Sequence, residues 1–342
     1  MSDLIAQDES IRLLVTGGAG FIGSNFVRFA LHERPAWTIV NYDALTYAGN
    51  LASLADVADH ERYEFIRADI RDREAMSAAL AGCDAVVHFA AESHVDRSIM
   101  DSGPFVSTNV LGTQVLLDAC RAAGAIRRFV HIGTDEVYGE LPLDRPDLKF
   151  TEATPLRPNS PYSASKAASD LLVLAYHHTF GFPAVVTRCS NNFGPCQFPE
   201  KVIPLFVTNL IDGIKVPLYG DGLNVRDWLH VVDHCEAVLA VLERGRSGEV
   251  YNIGGDNERS NLELTNTILQ LMGRGEEMIE YVTDRLGHDR RYAIDAGRIE
   301  RELGWRPTRS AWPDALAATI AWYAANEHWW RPLKQRAGQA VR

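Results

Sequence analysis

Three adjacent polar residues, Thr134, Asp135 and Glu136, follow an apolar run that ends at Ile132. A threonine or an aspartate can cap a helix, and a glutamate suits the positive N-terminal end of a helix. The same residues could instead do chemistry, because adjacent side chains on an extended turn project in different directions. Two carboxyl groups placed in this way could act on neighbouring carbon atoms of one substrate. The triplet by itself leaves both interpretations open.

A tyrosine and a lysine form the second group that could do chemistry. Tyr162 and Lys166 are four residues apart, which would place them on one face of a helix. A free tyrosine has a pKa of about 10, and a nearby ammonium group together with a positive nicotinamide ring would favour the phenolate. The phenolate could remove a proton from a sugar hydroxyl while hydride leaves the same carbon. Because this spacing is common by chance, an exposed tyrosine and lysine is the alternative.

Gly17, Gly20 and Gly23 lie between the first predicted strand and the first predicted helix. Glycine lets the backbone turn tightly and approach a pyrophosphate at the N-terminus of a helix. Asp43 follows Gly23 by 20 residues, where a carboxylate can accept both adenosine ribose hydroxyls and would repel a 2′-phosphate. Asp69, which ends the next predicted strand, is placed to meet the adenine. The pattern predicts NAD rather than NADP, with a glycine-rich packing turn as the alternative.

The elements that would position these residues alternate between strand and helix through residue 190. This alternation predicts a Rossmann-type α/β fold, a doubly wound parallel sheet with helices on both faces. The predicted strands cover 11–16, 37–43, 63–69, 84–91, 128–132 and 183–188, and the predicted helices cover 21–34, 72–82, 105–124 and 160–180. We therefore expect an NAD-binding domain over residues 1–190 that also carries the catalytic residues.

The alternation of predicted strands and helices becomes less regular after residue 190. Residues 191–200 contain many helix and strand breakers and are expected to be irregular. Helices are predicted at 201–213, 232–244, 261–272 and 313–326, and strands at 216–219, 249–254 and 279–283. The aromatic residues of 312–330 are expected to form one amphipathic packing helix. Residues 191–342 would form a smaller lobe that mainly binds substrate, with some segments returning to the first domain.

Composition excludes several classes of protein. The formal net charge of −11 argues against a nucleic-acid partner, since phosphate binding needs a basic surface. No apolar run approaches the length of a membrane span or a secretory signal. The five cysteines are odd in number, form no CxxC pair and show no metal-ligand spacing with the histidines. We expect a cytoplasmic protein without a metal site.

Taken together, the sequence resembles the extended short-chain dehydrogenase/reductases and, more narrowly, the dTDP-glucose 4,6-dehydratase family. The resemblance covers about residues 11–330. Its motifs are TGGAGFIGSNFVR, YDALTYAGN, FAAESHVDRSI, TDEVYG, YSASKAASD, NNFGPCQFPEKVIP, RDWLHV, YNIGG and DRLGHDRRYAID. Gly133 stands where a serine is common in the family and Phe193 where a tyrosine is frequent. Neither departure removes a catalytic group, so we expect at most small changes in packing or rate.

The resemblance implies roles for the polar triplet. Thr134 would orient O4 of a hexose, and Tyr162 with Lys166 would assist oxidation at C4 by NAD. The C4 ketone acidifies the C5 hydrogen, which Glu136 would remove, while Asp135 would protonate the departing C6 hydroxyl. Asp135 must hold a proton to do this, so its pKa should be raised by burial or by the second carboxylate. Return of hydride to C6 would leave a 4-keto-6-deoxy sugar and regenerated NAD.

The resemblance also implies binding residues and an assembly. NAD, tightly bound and recycled within each turnover, would contact Gly17, Gly20, Phe21, Ile22, Gly23, Asp43, Leu45, Thr46, Asp69, Ile70, Phe89, Ala90, Ala91, Ser93, Thr108, Tyr162, Lys166 and Asn192. The nucleotide sugar would contact Ser93, His94, Thr134, Asp135, Glu136, Asn191, Lys201, Val202, Pro217, Tyr219, Arg226, Asn261, Asp284, His288 and Tyr292. The loop 284–288 would close the site, and a homodimer would form through the helices at 105–124 and 160–180.

Three alternatives remain open. A UDP-linked glucose or N-acetylhexosamine could replace the dTDP-sugar. A nucleotide-sugar 4-epimerase would share the glycine turn and the Tyr162–Lys166 pair but would have no use for the two carboxyl groups. A catalytically idle NAD-binding scaffold would bind NAD without turnover. For Arg226 alone, the alternative to a diphosphate contact is a surface salt bridge with Asp227 or Asp233.

Overall fold

The computed structural model describes residues 5, 9–284 and 287–340. The strands are β1 (Arg12–Thr16), β2 (Thr38–Asp43), β3 (Tyr63–Arg67), β4 (Ala85–His88), β5 (Arg128–Thr134), β6 (Ala184–Cys189), β7 (Asn191–Phe193), β8 (Val216–Tyr219), β9 (Val225–His230), β10 (Val250–Ile253), β11 (Glu258–Ser260) and β12 (Ile279–Val282). The helices are α1 (Phe21–Glu33), α2 (Arg73–Ala79), α3 (Val95–Met100), α4 (Gly103–Phe105), α5 (Thr113–Ala123), α6 (Pro161–Phe180), α7 (Val202–Ile211), α8 (Val231–Arg244), α9 (Asn261–Leu271), α10 (Gly297–Leu303), α11 (Asp314–Ala325) and α12 (Glu327–Ala340).

Seven strands form one parallel sheet in the order β10-β6-β5-β4-β1-β2-β3. Its central strands are buried and apolar on both faces, as a sheet covered by helices on each side requires. Strand β10 comes from the later part of the chain and pairs with β6. The predicted Rossmann-type α/β fold is confirmed, and the carboxyl ends of β1, β4 and β5 lie side by side, where such sheets bind ligands.

Two smaller sheets carry the later residues of the chain. Strands β11, β9 and β7 form a three-stranded sheet, and β12 pairs with β8 in parallel. The prediction that 191–200 is irregular was wrong for Asn191–Phe193, because β7 pairs with β9 in register Asn191 to Trp228. That pairing joins segments about 40 residues apart, so local composition does not reveal it.

Two predicted helices differ from the observed ones. The helix expected at 105–124 begins with a π-helical stretch, Val106–Gly112, before α5. The aromatic segment 312–330 is not one helix, since the backbone breaks at Asn326 between α11 and α12. Its aromatic residues are nevertheless core, because Tyr323, Trp329 and Trp330 are buried together with residues of α7 and α9.

Candidate active site

The polar triplet lies where β5 leaves the parallel sheet. Thr134 is the last residue of β5, and a short 3-10 helix, Asp135–Tyr138, follows it. The Thr134 hydroxyl accepts a hydrogen bond from the main-chain N–H of Glu136 at 3.3 Å. The triplet therefore does form a helix cap. The cap uses the Thr134 hydroxyl and neither of the two carboxyl groups.

Asp135 has the environment of a carboxyl group that keeps its proton. Its side chain is 1% exposed, and its Oδ2 atom has no hydrogen-bond partner among the described residues. Burial raises the pKa of Asp135 well above its usual range, and the charges of Glu136 and Asp227 raise it further. Arg226 and the Thr134 hydroxyl act in the opposite direction. The raised pKa expected for a general acid is confirmed, with burial as the first cause.

Tyr162 and Lys166 lie one turn apart on α6. Ser160 caps this helix through a capping box with Ser163, and Pro161 occupies its first turn, so the helix begins immediately before Tyr162. Tyr162 is 8% exposed and Lys166 is 5% exposed. The alternative of an exposed tyrosine and lysine is therefore wrong.

The pKa of Tyr162 is not lowered by its lysine neighbour. The Nζ atom of Lys166 donates to the main-chain oxygen of Ile132 at 2.7 Å. Burial, followed by the charge of Glu136, raises the pKa of Tyr162 well above its usual value, and a hydrogen bond with the Thr134 hydroxyl lowers it. Lys166 is not among the groups that change the pKa of Tyr162 here, and the desolvation of the buried phenol is the largest effect. The prediction that Lys166 and the nicotinamide ring together favour the phenolate stays a prediction.

A buried polar network that the sequence did not reveal supports Lys166. Asp170 lies one turn further along α6, and its charge favours the ammonium form of Lys166 against the effect of burial. Asp170 Oδ2 accepts from Nε of Arg188 at 2.8 Å, and Oδ1 lies 3.3 Å from Nε2 of His131. All of these side chains are at most 5% exposed. The network holds β5, β6 and α6 together directly behind Lys166.

The glycine turn has the packing that a dinucleotide site requires. Gly17 has a φ of +72°, and a Cβ atom there would lie 2.5 Å from the main-chain nitrogen of Ala90. A Cβ at Gly23 would lie 2.2 Å from the Gly17 oxygen. The first turn of α1 carries no acidic side chain, so its N-terminal dipole is available to an anion. These features fit the pyrophosphate of NAD.

Asp43 joins this turn to the second strand. Its Oδ2 atom accepts from the main-chain N–H of Ala19 at 2.9 Å, and Oδ1 accepts from that of Leu45 at 2.7 Å. A carboxylate has about four acceptor positions, so two remain for ribose hydroxyls. Asp69 is held by Arg71, whose hydrogen bonds lower the pKa of Asp69. The two carboxylates predicted to bind adenosine line the same cavity.

One cavity of about 720 Å³ is lined by the glycine turn, by Tyr162 and by Thr134 and Glu136 of the triplet, whereas Asp135 lies outside its lining. Every residue predicted to bind NAD lines it, with the exception of Leu45. Among the predicted substrate residues, the cavity is lined by Ser93, Thr134, Glu136, Asn191 and Lys201. Buried side-chain oxygens of Asn191, Gln197 and Glu200 in this lining have no hydrogen-bond partner among the described residues. Such atoms indicate a polar ligand, because buried polar groups are otherwise hydrogen-bonded.

The chain is similar to known proteins over most of its length. A family model described as GDP-mannose 4,6 dehydratase matches residues 14–312. A dTDP-glucose 4,6-dehydratase from Streptomyces griseus is 56% identical, over 94% of this chain and 96% of that protein. The chain belongs to the dTDP-glucose 4,6-dehydratase family.

Solved structures agree with the family assignment. The crystal structure of the dTDP-glucose 4,6-dehydratase DesIV from Streptomyces venezuelae, with NAD and TYD bound, has a TM-score of 0.91 at 54% identity. The match covers 94% of this chain and 100% of the DesIV chain. UDP-glucose 4-epimerase from Thermotoga maritima has a TM-score of 0.84 but only 27% identity, over 93% of this chain and 100% of that chain. The epimerases share the fold of the dehydratase family at a much lower sequence identity.

Several predicted substrate residues of this dehydratase family member lie outside the cavity lining. Arg226 is 6% exposed, so the alternative of a surface salt bridge is wrong. Its guanidinium donates to the main-chain oxygen of Asp289 at 2.9 Å and lies 4.3 Å from the ring of Tyr292. Arg226 also lowers the pKa of Asp135. It therefore connects Asp289 and Tyr292, which it contacts, with the carboxyl group of the triplet.

The remaining predicted substrate residues lie near the small two-stranded sheet or next to the cavity. The Tyr219 ring lies 6.3 Å from that of His288, and Nδ1 of His288 lies 2.6 Å from Asp284 Oδ1. Arg285 and Leu286 of the predicted closing loop lie outside the described residues. The other members are Pro217 in β8, Val202 at the start of α7, Asn261 at the start of α9, and His94, whose Nε2 lies 3.7 Å from Glu200.

Gly133 has a specific packing role in this chain. A Cβ atom there would lie 2.6 Å from the Thr187 oxygen and 3.0 Å from Asp170 Oδ1. The serine that is common in the family would therefore require β5 and β6 to separate. Phe193 is fully buried among the rings of Trp228, His230 and Trp312, where no hydroxyl is needed.

Proposed function

We propose that this chain is an NAD-dependent dTDP-glucose 4,6-dehydratase, a lyase that forms dTDP-4-keto-6-deoxyglucose. The observation that carries this proposal is the buried carboxyl group of Asp135 beside Glu136, in surroundings that raise the pKa of Asp135 well above its usual range. An epimerase needs no proton donor at C6, so this pair distinguishes a dehydratase from an epimerase. Identity above 50% with curated dTDP-glucose 4,6-dehydratases over nearly the whole chain supports the same activity.

Oxidation at C4 requires a base for the O4 proton. We assign this base to Tyr162, whose pKa is lowered by the Thr134 hydroxyl, with Lys166 one turn further along α6. When bound, NAD supplies the hydride acceptor and donor of the reaction and, in its oxidised form, a positive charge that favours the phenolate. The Thr134 hydroxyl orients O4 toward Tyr162. Gly17, Phe89 and Ala90 line the same cavity as Tyr162 and Thr134, so the bound cofactor would lie beside these two side chains.

Elimination across C5 and C6 requires a base and an acid over adjacent carbons. Glu136, which lines the cavity, removes the C5 proton once C4 is a ketone. Asp135 donates its proton to the C6 oxygen, which leaves as water. Each positioned proton transfer contributes about 10²–10⁴ in rate. Glu136 then returns a proton to C5 as C6 is reduced.

The nucleotide part of the substrate needs a separate set of contacts. Lys201 and Asn191 line the cavity, and Arg226 is buried and lowers the pKa of Asp135. We assign the diphosphate to Arg226 and Asn261, and the base to Lys201, Val202 and the Pro217–Tyr219 strand. Asp284, His288 and Tyr292 would cover this end. Charge-assisted contacts of this kind hold the substrate while its sugar passes through reactive intermediates.

The activity is tested by incubating the purified holoenzyme with dTDP-glucose and following the keto-sugar chromophore in alkali. UDP-glucose and UDP-N-acetylglucosamine serve as parallel substrates. We expect keto product from dTDP-glucose at a much higher kcat/KM than from either UDP-sugar. A galactose product would identify an epimerase, and tightly bound NAD without turnover would identify an idle scaffold. Either result would contradict the proposal.

We also propose a homodimer that forms through α6 and the neighbouring helical segment 105–124. Val106, Leu111, Leu171 and Phe180 lie on these segments and are each at least 50% exposed. Large apolar side chains exposed together usually mark an interaction surface. Light scattering coupled to size exclusion should give the mass of a dimer. Leu171→Glu should give a monomer, and Ile214→Glu, at a residue 52% exposed on a different surface, should remain dimeric.

The cytoplasmic location, the lack of a metal site and the division into two domains are also proposals. Among the described residues, no helix is long and apolar enough to cross a membrane. In the same residues, no cluster of three histidine, cysteine or acidic side chains could hold a metal ion. All five cysteines are buried and unpaired, which supports a cytoplasmic location. We retain the division at residue 190 as a functional one, between NAD binding and nucleotide-sugar binding.

A further inference from the structure

Residues 44–50, here called the cofactor loop, follow β2 and form part of the cavity wall. Most of them line the cavity together with the glycine turn. Both ends of the loop are fixed next to that turn. Asp43 accepts from the main-chain N–H of Ala19 at 2.9 Å, and the main-chain N–H of Asn50 donates to the Ala19 oxygen at 2.9 Å. The middle of the loop, at Tyr47, is held by residues from later parts of the chain.

A guanidinium group lies on the Tyr47 ring. Cζ of Arg97, in α3, is 3.8 Å from the centre of that ring, a distance at which the face of an aromatic ring attracts a cation. Nη2 of Arg97 donates to Oε2 of Glu200 at 3.0 Å. The Arg97 side chain is 27% exposed and that of Glu200 is 11% exposed, so solvent ions screen this pair less than a surface pair. Arg97 thus joins the cofactor loop to residues 198–201, here called the substrate segment because it includes the predicted substrate residue Lys201.

Two further contacts connect the same parts of the chain. The rings of Phe198 and Tyr47 lie 5.7 Å apart in an edge-on arrangement, which aromatic pairs favour. Nζ of Lys201 donates to the main-chain oxygen of Ser93 at 3.0 Å, and Ser93 lies two residues before α3. The Lys201 contact would keep α3 next to the substrate segment without Arg97. Loss of the Arg97 guanidinium would therefore weaken the hold on Tyr47 and leave the rest of this region joined.

We propose that Arg97 is a positioning residue for the cofactor, which holds the cofactor loop against the substrate segment and so slows the release of NAD. Arg97 is absent from the cavity lining, so it acts through Tyr47 and Glu200, which both line the cavity. Slow release suits a reaction in which the hydride taken from C4 returns to C6 from the same nicotinamide. That advantage rests on the proposed dehydratase activity. The hold on the loop concerns NAD binding alone and is measurable without sugar turnover.

Both contacts of Arg97 depend on the shape of its guanidinium group. The planar group can lie flat on the Tyr47 ring while an N–H in its plane points at Glu200. A lysine ammonium is compact and strongly hydrated, and it cannot stack in this way. Arg97→Lys should therefore keep a positive charge near Glu200 and lose most of the hold on Tyr47. This variant separates the proposed role from a general attraction between a positive charge and the phosphates of NAD.

The rate of NAD release tests the proposal. Holoenzyme that carries tritium-labelled NAD is mixed with an excess of unlabelled NAD, and the label that remains with the protein is followed over time. We expect Arg97→Met to release NAD about tenfold faster than the wild type, since it loses a cation–π contact and a charge-assisted hydrogen bond. Arg97→Lys should release NAD nearly as fast as Arg97→Met.

Arg331→Met is the matched control for the loss of a stacked guanidinium group. Cζ of Arg331 lies 4.6 Å from the ring of Trp330, and its Nη1 pairs with Asp212 at 2.9 Å. None of these three residues lines the cavity. Arg331→Met removes the same charge and the same kind of contact from another part of the molecule. It should release NAD at the wild-type rate.

Variants of Tyr47 test the same contact from the other side. Tyr47→Leu removes the aromatic ring, and Tyr47→Phe keeps the ring face that Arg97 covers. Tyr47→Leu should release NAD about as fast as Arg97→Met, and Tyr47→Phe should stay near the wild-type rate. The double variant of Arg97→Met with Tyr47→Leu should be little faster than either single variant, because the two residues act through one contact.

Three results would overturn the proposed role of Arg97. They are a wild-type release rate in Arg97→Met, a wild-type release rate in Arg97→Lys, and independent effects that multiply in the double variant. Circular dichroism and the melting temperature, both measured with saturating NAD, are the controls for correct folding. A wild-type enzyme that holds NAD but forms no keto product from dTDP-glucose would refute the dehydratase assignment and leave the measured release rates standing.

Discussion

The carboxylate of Asp170 accepts a hydrogen bond from Nε of Arg188 at 2.8 Å, and both side chains are buried. The Arg188 guanidinium also donates to the Tyr138 hydroxyl at 3.0 Å. His131 faces the same carboxylate, and burial lowers the pKa of His131 to about 4, so the ring is neutral near pH 7. Asp170 is therefore the counter-charge for both Arg188 and Lys166 in the interior of the NAD-binding sheet.

Asp170→Asn should destabilise the protein by about 3–5 kcal/mol, because it leaves a buried arginine without its partner. The pKa of Asp170 is lowered in the folded state. Its stabilisation is thus complete above the unfolded pKa of about 3.9 and is lost as the pH falls through the folded value. Urea unfolding at pH 7 measures the effect. The exposed pair of Asp147 with Arg145 provides the control, since Asp147→Asn should leave the unfolding midpoint unchanged.

Tyr162→Phe should stop the reaction at its first step. Without the phenol oxygen, no group on α6 can take the O4 proton, so bound NAD should not be reduced by dTDP-glucose. Stopped-flow absorbance of the reduced nicotinamide measures this step directly. Thr179→Ala, at an exposed residue of the same helix, controls for damage to α6. A burst of reduced NAD in Tyr162→Phe would remove Tyr162 from its role.

The pH dependence of kcat should respond to Arg226. Asp135 must be protonated to act, so activity falls as the pH rises through its raised pKa. Arg226 lowers that pKa, and Arg226→Met should therefore move the alkaline limb of the kcat profile to higher pH. If Arg226 also holds the diphosphate, KM should rise about 10- to 100-fold, since a hydrogen bond to a charged group contributes about 1.5–3 kcal/mol.

A matched variant separates the local effect of Arg226 from the effect of total charge. Arg290→Met removes the same charge from a residue that is paired with Asp221. It should leave the alkaline limb of kcat where it is in the wild type. An Arg226→Met profile with an unmoved or lowered alkaline limb would show that Asp135 is not the group that titrates.

Sequence reasoning located the parts of the site that depend on local patterns. The glycine turn, Asp43, and the spacing of Tyr162 and Lys166 are all set within one strand-turn-helix unit or one helical turn. The parallel sheet with helices on both faces followed from the alternation of strands and helices. Asp170 and Gly133 were not recognised as structural partners, because their importance arises only where β5, β6 and α6 meet.

The later part of the chain was harder to predict, because its strands also pair with segments that are distant in sequence. Strand β9 contains Arg226, but it pairs with β7 and β11 rather than with a sequence neighbour. Its Asp227 accepts hydrogen bonds from the main-chain N–H groups of Gly255 and Asn257. Such long-range pairing leaves no periodic signal in a six-residue strand. Resemblance to a family, rather than periodicity, identified Arg226 as a candidate.

Exchange of the C5 hydrogen tests most directly whether the two carboxyl groups perform the elimination. Turnover of dTDP-glucose in deuterated water, followed by nuclear magnetic resonance, reports this exchange, and the absorbance of reduced NAD reports oxidation at C4. In Glu136→Gln we predict that oxidation at C4 persists while deuterium no longer enters at C5. Deuterium at C5 of the Glu136→Gln product at the wild-type rate would contradict the account.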